Sequence, residues 1–529
     1  MIDDILLIIT MIVYEYIVVR FALKGIHMFQ QNRYEITRFY QWQKSNVTKT
    51  YPLAIMISWL LIIISLFIIP HREIQIFIML TILVIFTINM ANKNKYKTYI
   101  KPLVYTNRVK RQLFTYGIIS VLFLIGEYFL VGNYFKIFIV LLALFHLYQM
   151  HLISLVSLIN NPLETIFKNR FLRQAKTKLN NIPSLSKIGI TGSYGKTSSK
   201  NIIYEILSKK YYCLVTPASY NTPQGISITI NNNLQPIHDI FICEMGADKV
   251  GDISELFHFV EPQIGIVTSI GEQHLGTFKT QENIINEKMK MVELMNEDGL
   301  VILNKDEPYI SNYPIKSRAK QIWYGIENEA DYQALNINYS KDGSNFDVLI
   351  NDELVHFETR LLGIHNIYNI LAGIAIGLHY HISIKELIIA IKQLEYTPHR
   401  LEVKKQKDYT IIDNAFNSNP VSSKKTLDVL AKMPGLRICI TPGLIDLGTK
   451  QDYYNKEFGL YFKDRCDRII LVGRNQTKAI YEGLVESGYN MKYVYIVNRI
   501  FDAFNTLERI KQPDCYVLLE NDLPDAFNN

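Results

Sequence analysis

A short apolar stretch at residues 187–190 runs straight into Thr191-Gly-Ser-Tyr-Gly-Lys-Thr-Ser198, and an apolar-periodic stretch from 199 to 207 follows it. A glycine loop between a strand and a helix lets backbone N–H groups and the helix N-terminus cradle phosphate. In that setting the Lys196 ammonium is a point charge for phosphate oxygens, and the Thr197 hydroxyl is a ligand for a divalent cation. The spacing departs from the common G-x-x-x-x-G-K-T pattern, because the residue five before Gly195 is Ile190 and the nearer glycine is Gly192. A second apolar run, 239–243, reads as a buried parallel strand and ends in Glu244. An acid at the carboxyl end of a strand beside a phosphate loop is placed to hold Mg²⁺. A third strand, 264–269, delivers Gly271-Glu-Gln-His274 to the same edge, where His274 is either a second metal ligand or a surface histidine.

The elements that must position these groups form an α/β chain. Past Arg400, runs at 409–413, 436–441, 468–472, 493–497 and 515–520 alternate with helical stretches, which predicts a parallel, Rossmann-like sheet wound with helices. Between 324 and 359 the pattern is that of short antiparallel strands. The region before about 158 differs in kind. Five segments, near 5–19, 53–69, 74–90, 113–131 and 135–156, are apolar enough to be read as membrane helices. Two basic connectors, Arg20 to Lys49 and Lys93 to Arg111, belong on the cytoplasmic side by the positive-inside rule, which puts the N-terminus outside and everything after Val156 inside. Glu15 and Glu127 fall within these runs, as functional acids or as interfacial ones. The domain boundaries expected are therefore a transmembrane region at 1–158, a basic linker at 159–186, a nucleotide-binding domain at 187–395 and a C-terminal domain at 396–529.

Composition narrows the class. With 529 residues, 49% hydrophobic and 20% charged, the chain is neither a small module nor disordered. Much of the +7 net charge lies between apolar runs rather than on one folded face, so a nucleic-acid partner is not expected. The five cysteines show no C-x-x-C spacing, which argues against a disulfide framework or structural zinc.

Seven motifs stand in order: the glycine loop at 189–198, Asn221-Thr-Pro-Gln-Gly225, Glu244-Met-Gly-Ala247, Gly271-Glu-Gln-His274, Gly363-Ile-His-Asn366 with Asn369, His399-Arg-Leu-Glu402, and Asp413-Asn-Ala-Phe-Asn-Ser-Asn-Pro420. Together they resemble the Mur ligase family, ATP-dependent amide ligases of peptidoglycan precursor synthesis, and most closely the type that joins D-alanyl-D-alanine to UDP-muramoyl-tripeptide. The resemblance covers residues 187–529 and implies a P-loop central domain, a Rossmann-like C-terminal domain, ATP and two Mg²⁺ ions. ATP would phosphorylate a carboxylate, and an amine would attack the acyl phosphate. It assigns Gly192, Ser193, Gly195, Lys196, Thr197, Ser198, Asn304, Asn366, Arg400 and Asp413 to the nucleotide. Thr197, Glu244, His274 and a CO₂-carbamylated lysine take the metal, and Asn221, Thr222 and Asn417 the substrate. Lys288 matches the carbamylated position, with Lys290 the competitor. Lys196, Lys288, His274 and Arg400 are the residues it makes catalytic. For His365 a satisfied packing role is an even alternative.

Two departures set this chain apart from that family. Its UDP-holding N-terminal domain has no counterpart, since apolar runs occupy that place, which points to a carboxylate donor presented at the membrane, lipid-linked rather than UDP-linked. The usual cationic ending of the last strand is replaced by Glu520-Asn-Asp522, leaving the amino-acid or peptide acceptor open: the two acids either hold its ammonium or belong to an exposed loop. The expected protein is a multi-pass membrane ligase with cytoplasmic catalytic domains and lipids as partners. The alternatives are an amino-acid-polymerising ligase of the polyglutamate type and an ATP-driven membrane transport or scaffold protein, for which the apolar runs contain few polar residues. Reporter fusions placed just after Val156 test the topology: a cytoplasmic reporter is expected to be active there and a periplasmic or surface reporter silent.

Overall fold

The computed structural model describes residues 2–94, 102–128, 134–273, 275–416, 418–445 and 447–522. One unit runs to residue 168 and a second spans 169–522. In the first, the regular structure is helical: α1 (Ile2–Gln31), α2 (Ile36–Ser45), α3 (Val47–Thr50), α4 (Leu53–Ile68), α5 (Arg72–Asn94), α6 (Asn107–Tyr128), α7 (Phe135–Leu147) and the start of α8 (Gln149–Asn180). Three stretches are long and apolar enough to cross a bilayer: Asp4–Gln31, Arg72–Asn92 and Asn107–Gly126. Of the other two expected spans, the one at 53–69 needs correction, and the one at 135–156 lies in a helix pair that passes only as a broken span or a re-entrant loop. α4 has 16 residues, about 24 Å at the helical rise and short of the ~30 Å hydrocarbon layer. The segment 135–156 is not one helix, because α7 and α8 are bent by 73° where Tyr148 leaves helical geometry at φ −93°, ψ 14°. His146 and Gln149, both buried, flank that break. A count of apolar residues does not register polar anchors of this kind. Within the expected linker, α8 continues through Pro162 to Asn180. The Glu127 side chain lies outside the described residues.

Aromatic packing holds the bundle. Tyr14 and Trp59 are buried side chains, the Trp59 indole donates to His146 Nδ1 at 3.0 Å, and the Tyr14 hydroxyl donates to the Leu142 carbonyl at 3.0 Å. Gln112, Ser120, His146 and Gln149 are also buried there, so the interior is more polar than the sequence reading allowed.

Beyond residue 169 the chain builds two sheets. The first comprises β1 (Ser186–Thr191), β2 (Cys213–Val215), β3 (Ile240–Glu244), β4 (Ile264–Val267), β5 (Leu300–Asn304), β6 (Lys320–Gly325), β7 (Tyr332–Ser340), β8 (Gly343–Ile350) and β9 (Glu353–Thr359), in the order β2-β3-β1-β4-β5-β6-β7-β8-β9. β1 to β6 pair in parallel, while β7 to β9 form the expected antiparallel part. Around them lie α9 (Lys196–Leu207), α10 (Pro223–Asn233), α11 (Asp252–Val260), α12 (Leu275–Phe278), α13 (Gln281–Glu293), α14 (Pro308–Ser311), α15 (Ile364–His379) and α16 (Ile384–Gln393). The parallel strands are apolar at nearly every position because both faces are covered. Ile188, Ile190, Ile242 and Ile302 face α9 and α15, while Phe241, Cys243, Val301 and Leu303 belong to the opposite core.

The second sheet, ordered β10-β11-β15-β12-β13-β14, contains β10 (Glu402–Lys405), β11 (Tyr409–Asn414), β12 (Arg437–Thr441), β13 (Arg468–Val472), β14 (Val494–Val497) and β15 (Cys515–Glu520). All pairs are parallel except β10 with β11, and α17 (Pro420–Ala431), α18 (Gln451–Tyr461), α19 (Lys478–Glu486) and α20 (Ile500–Ile510) complete the lobe.

One helix pair sets the geometry of the phosphate loop. α9 and α15 approach closely at Gly373, where a Cβ would come within 2.7 Å of Ile206 Cδ1 and 3.0 Å of Ile202 Cγ2. That approach lets Ser199 Oγ donate to Asn369 Oδ1 at 2.9 Å, joining the two helix starts that flank the site. Ile206 is fully buried in this contact, so Ile206→Ala is expected to lower unfolding free energy by about 2–5 kcal/mol, read from denaturant titration followed by near-UV signals of the soluble lobes.

Candidate active site

The loop after β1 takes its shape from backbone needs. Gly192 has φ 145°, and a Cβ there would lie 2.2 Å from Thr268 Oγ1. Only glycine fits this approach to the loop following β4. Ser193 N donates to the Ser269 carbonyl at 2.7 Å, Tyr194 N to Ser269 Oγ at 2.9 Å, and Ser193 Oγ donates to the Gly271 carbonyl at 3.0 Å. The chain then enters α9 at Gly195, φ 80°. Lys196 Nζ folds back onto the Gly192 and Ser193 carbonyls, at 2.6 and 3.1 Å. Ser198 is buried in the first turn of α9, and Thr191 Oγ1 is buried without a hydrogen-bond partner.

Glu244, at the carboxyl end of β3 and 1% exposed, is the meeting point of three chain segments. Its Oε2 accepts from Thr197 Oγ1 at 2.9 Å and from Lys200 Nζ at 3.3 Å. Its Oε1 accepts from Asn221 Nδ2 at 2.9 Å. The sequence reading overlooked Lys200. The available signal was an i, i+3 lysine after Thr197, on the face of α9 that must be buried. Thr222 instead caps α10, its hydroxyl accepting from Gly225 N at 3.3 Å.

Cations gather around this acid. Burial pushes the Lys196 ammonium down to about 8; Glu244 opposes the shift and Arg400 reinforces it. Arg400 itself is lowered by burial, with Glu244 again opposing, and stacks over the Phe416 ring with its guanidinium carbon 5.0 Å from the centroid. Lys288, on α13, is 2% exposed and among the described residues reaches the Ala247 carbonyl, at 3.4 Å. Burial first, and the Lys196 charge second, bring it down to about 7. Lys290 is exposed, which separates the two lysines that sequence alone left in competition.

Asn304, at the end of β5, donates to the Thr268 carbonyl at 3.2 Å, and Asn366, in the first turn of α15, donates to the Leu362 carbonyl at 2.9 Å. The neighbouring His365 keeps a buried Nε2 with no partner and is lowered to about 3 by burial and then by Lys425. It is therefore not a satisfied packing histidine. Asp413, ending β11, accepts from Lys404 Nζ at 2.6 Å and His399 Nδ1 at 2.8 Å. These bonds outweigh burial and hold its carboxyl below the ordinary range. Across the two lobes, Glu272 is bound by Lys450 Nζ at 2.9 Å and by the Tyr454 hydroxyl, while its carbonyl accepts from the phosphate-loop Tyr194 hydroxyl at 3.1 Å.

Glu520 is fully buried, accepting from Asn414 Nδ2 at 2.9 Å and Ser423 Oγ at 2.7 Å. It is neither on an exposed loop nor open to an acceptor; Asp522 is exposed. His274 and Asn417 lie outside the described residues.

Comparison with known proteins matches the Mur ligase middle domain at residues 190–377 and the Mur ligase, glutamate ligase domain at 399–519. The UDP-N-acetylmuramoyl-tripeptide–D-alanyl-D-alanine ligase of Bacillus subtilis is 28% identical over 292 residues, 54% of this chain and 62% of that protein. The protein of the same name from Escherichia coli is 27% identical over 297 residues, 55% and 65% respectively. The chain thus spans under two thirds of the length of these relatives. Among solved structures, MurF from Acinetobacter baumannii superposes with TM-score 0.61 at 21% identity, covering 67% of this chain and 77% of that one. MurF from Thermotoga maritima in complex with ADP gives 0.60 at 22% identity, covering 67% and 80%. These two likenesses describe the fold.

The residues present fit a nucleoside triphosphate and a divalent cation: a glycine cradle that a side chain would fill, an orphaned buried ring nitrogen at His365, and a carboxylate with a hydroxyl beside it. Gly192→Ala is expected to weaken binding of a fluorescent ADP analogue by at least about tenfold, because its methyl must displace the Thr268 hydroxyl and reshape the phosphate loop.

Proposed function

Because this chain belongs to the Mur ligase family, we propose that it is an ATP-dependent carboxylate–amine ligase of the type that joins D-alanyl-D-alanine to a muramoyl-tripeptide, acting in cell-envelope precursor synthesis at the membrane. The observation that carries this reading is the gathering of Lys196 and Arg400 about the buried Glu244, with the buried Lys288 within reach of the Lys196 charge. Cations held out of water around a single buried acid suit a polyanionic reactant.

In this reading a bound ATP would supply the phosphoryl group that activates the donor carboxylate, and Mg²⁺ held at Thr197 and Glu244 would neutralise its charge. Lys196 leaves the Gly192 and Ser193 carbonyls to meet phosphate oxygens. Arg400, coming from the lobe junction, balances charge on the transferring group. Thr197 and Glu244 hold one metal; the Thr197 hydroxyl can donate to Glu244 and still offer a lone pair. His274, Asn417 and Asp413 keep the metal, substrate and nucleotide roles that the motif match assigns. Asn221 steadies Glu244 and keeps the substrate role that the motif match assigns. A Lys288 amine that titrates near 7 is substantially neutral at physiological pH, the form that reacts with CO₂, and the resulting carbamate would turn a repelled cation into a metal-binding anion.

The helical unit supports a membrane location through its three long apolar helices, with the catalytic lobes cytoplasmic. A lipid-linked donor fits a chain in which apolar helices stand where UDP-linked substrates are held in relatives. Binding energy from the non-reacting part of the donor would then come from the bilayer surface.

The direct test is ATP consumption by the detergent-solubilised full chain, given UDP-muramoyl-tripeptide and D-alanyl-D-alanine, with and without membrane lipid extract. Turnover dependent on both amine and carboxylate is expected, and turnover with neither present overturns the ligase reading. Lys288→Ala is expected to lose at least about 100-fold in kcat and to regain part of it with added short carboxylates, while Lys290→Ala stays near wild type. Lowering pH through 7 protonates Lys288 and should slow reactivation by bicarbonate, measured after decarbamylation at low pH.

A further inference from the structure

Lys200 sits on α9, one turn past Thr197, with none of its surface exposed. A lysine removed from water needs partners. It has two: the Ala218 carbonyl at 2.6 Å and Glu244 Oε2 at 3.3 Å. The shorter bond goes to a residue held in left-handed backbone, φ 43°, in the stretch that leads to Asn221. That stretch is fastened to Glu244 at three points. Thr216 Oγ1 accepts from Glu244 N at 3.1 Å, Ala218 is reached through Lys200, and Asn221 donates directly to the carboxylate.

None of the chemistry above uses Lys200. Its ammonium lies on the same carboxylate oxygen as the Thr197 hydroxyl, the oxygen that a divalent cation held by Thr197 and Glu244 would share. A positive charge there opposes a second one, yet it compensates a buried acid whenever no metal is bound. We infer that Lys200 is a positioning residue that fixes the loop 216–221 against Glu244 and competes with the divalent cation for that carboxylate. This rests on the reading of Thr197 and Glu244 as metal ligands.

Neither readout of the test requires ligase activity. Mn²⁺ binding to the nucleotide-free full chain is followed by electron paramagnetic resonance, and amide exchange over 216–222 by mass spectrometry, for wild type, Lys200→Met and Glu244→Gln. The expected pattern is Glu244-dependent Mn²⁺ binding, tightened by about fivefold in Lys200→Met, together with loop exchange faster by at least about tenfold. A residue with only a packing role would weaken metal binding or leave it unchanged. Mn²⁺ affinity that fails to rise, or loop exchange that fails to change, overturns the inference while leaving Glu244 as the metal acid. Binding that ignores Glu244→Gln overturns the metal reading and the inference with it. If Lys200→Met does not fold, Lys200→Gln keeps a neutral donor in the same space and is expected to show the same tighter Mn²⁺ binding; its failure to do so also overturns the inference.

Discussion

A carboxylate buried at the end of a central strand must be hydrogen-bonded from every side, and at Glu244 that requirement organises the catalytic lobe. The donors come from α9 and from the loop before α10, and the backbone N–H beside the acid is bound by Thr216. The phosphate loop, the first turn of its helix and the loop before α10 therefore share one reference point. Displacing any of them leaves part of a charge unsolvated in the interior, a cost of several kcal/mol by general experience with buried ions. The close contact of α9 with α15 transmits the same frame to Asn366 and Asn369 on the other side of the loop.

Around that anion the field is deliberately unbalanced. Burial lowers the proton affinity of Lys196 and Lys288, Arg400 adds to the effect on Lys196, and the Lys196 charge adds to it on Lys288. Both lysines are brought down chiefly by burial, the direction opposite to that of an exposed ion pair.

Much of this was legible in the sequence because it is local. The strand, glycine loop and helix at 187–207, the acid ending β3, and the alternation past Arg400 all follow from short-range patterns, and β13 and β15 fall at the residues expected. Lys288 was preferred over Lys290 by position in a motif, and the structure adds the physical distinction, burial against exposure. What the pattern missed depends on tertiary partners. Nothing adjacent to Lys200 in sequence reveals that Ala218 and Glu244 await it. Glu520 read as a free acid because Asn414 and Ser423, its donors, are about a hundred residues upstream. In the helical unit, likewise, apolar counting does not see that Tyr148 ends one helix and that α4 stops at 16 residues.

The bridge from Lys450 and Tyr454 to Glu272 ties the spacing of the two lobes to the loop that also receives the Tyr194 hydroxyl. Any movement of the phosphate loop that shifts Tyr194 must pull on the same residue that fastens α18. Lobe separation and loop relaxation are then coupled through one residue, and a change in the spacing of the lobes is felt at the phosphate loop for as long as that fastening holds.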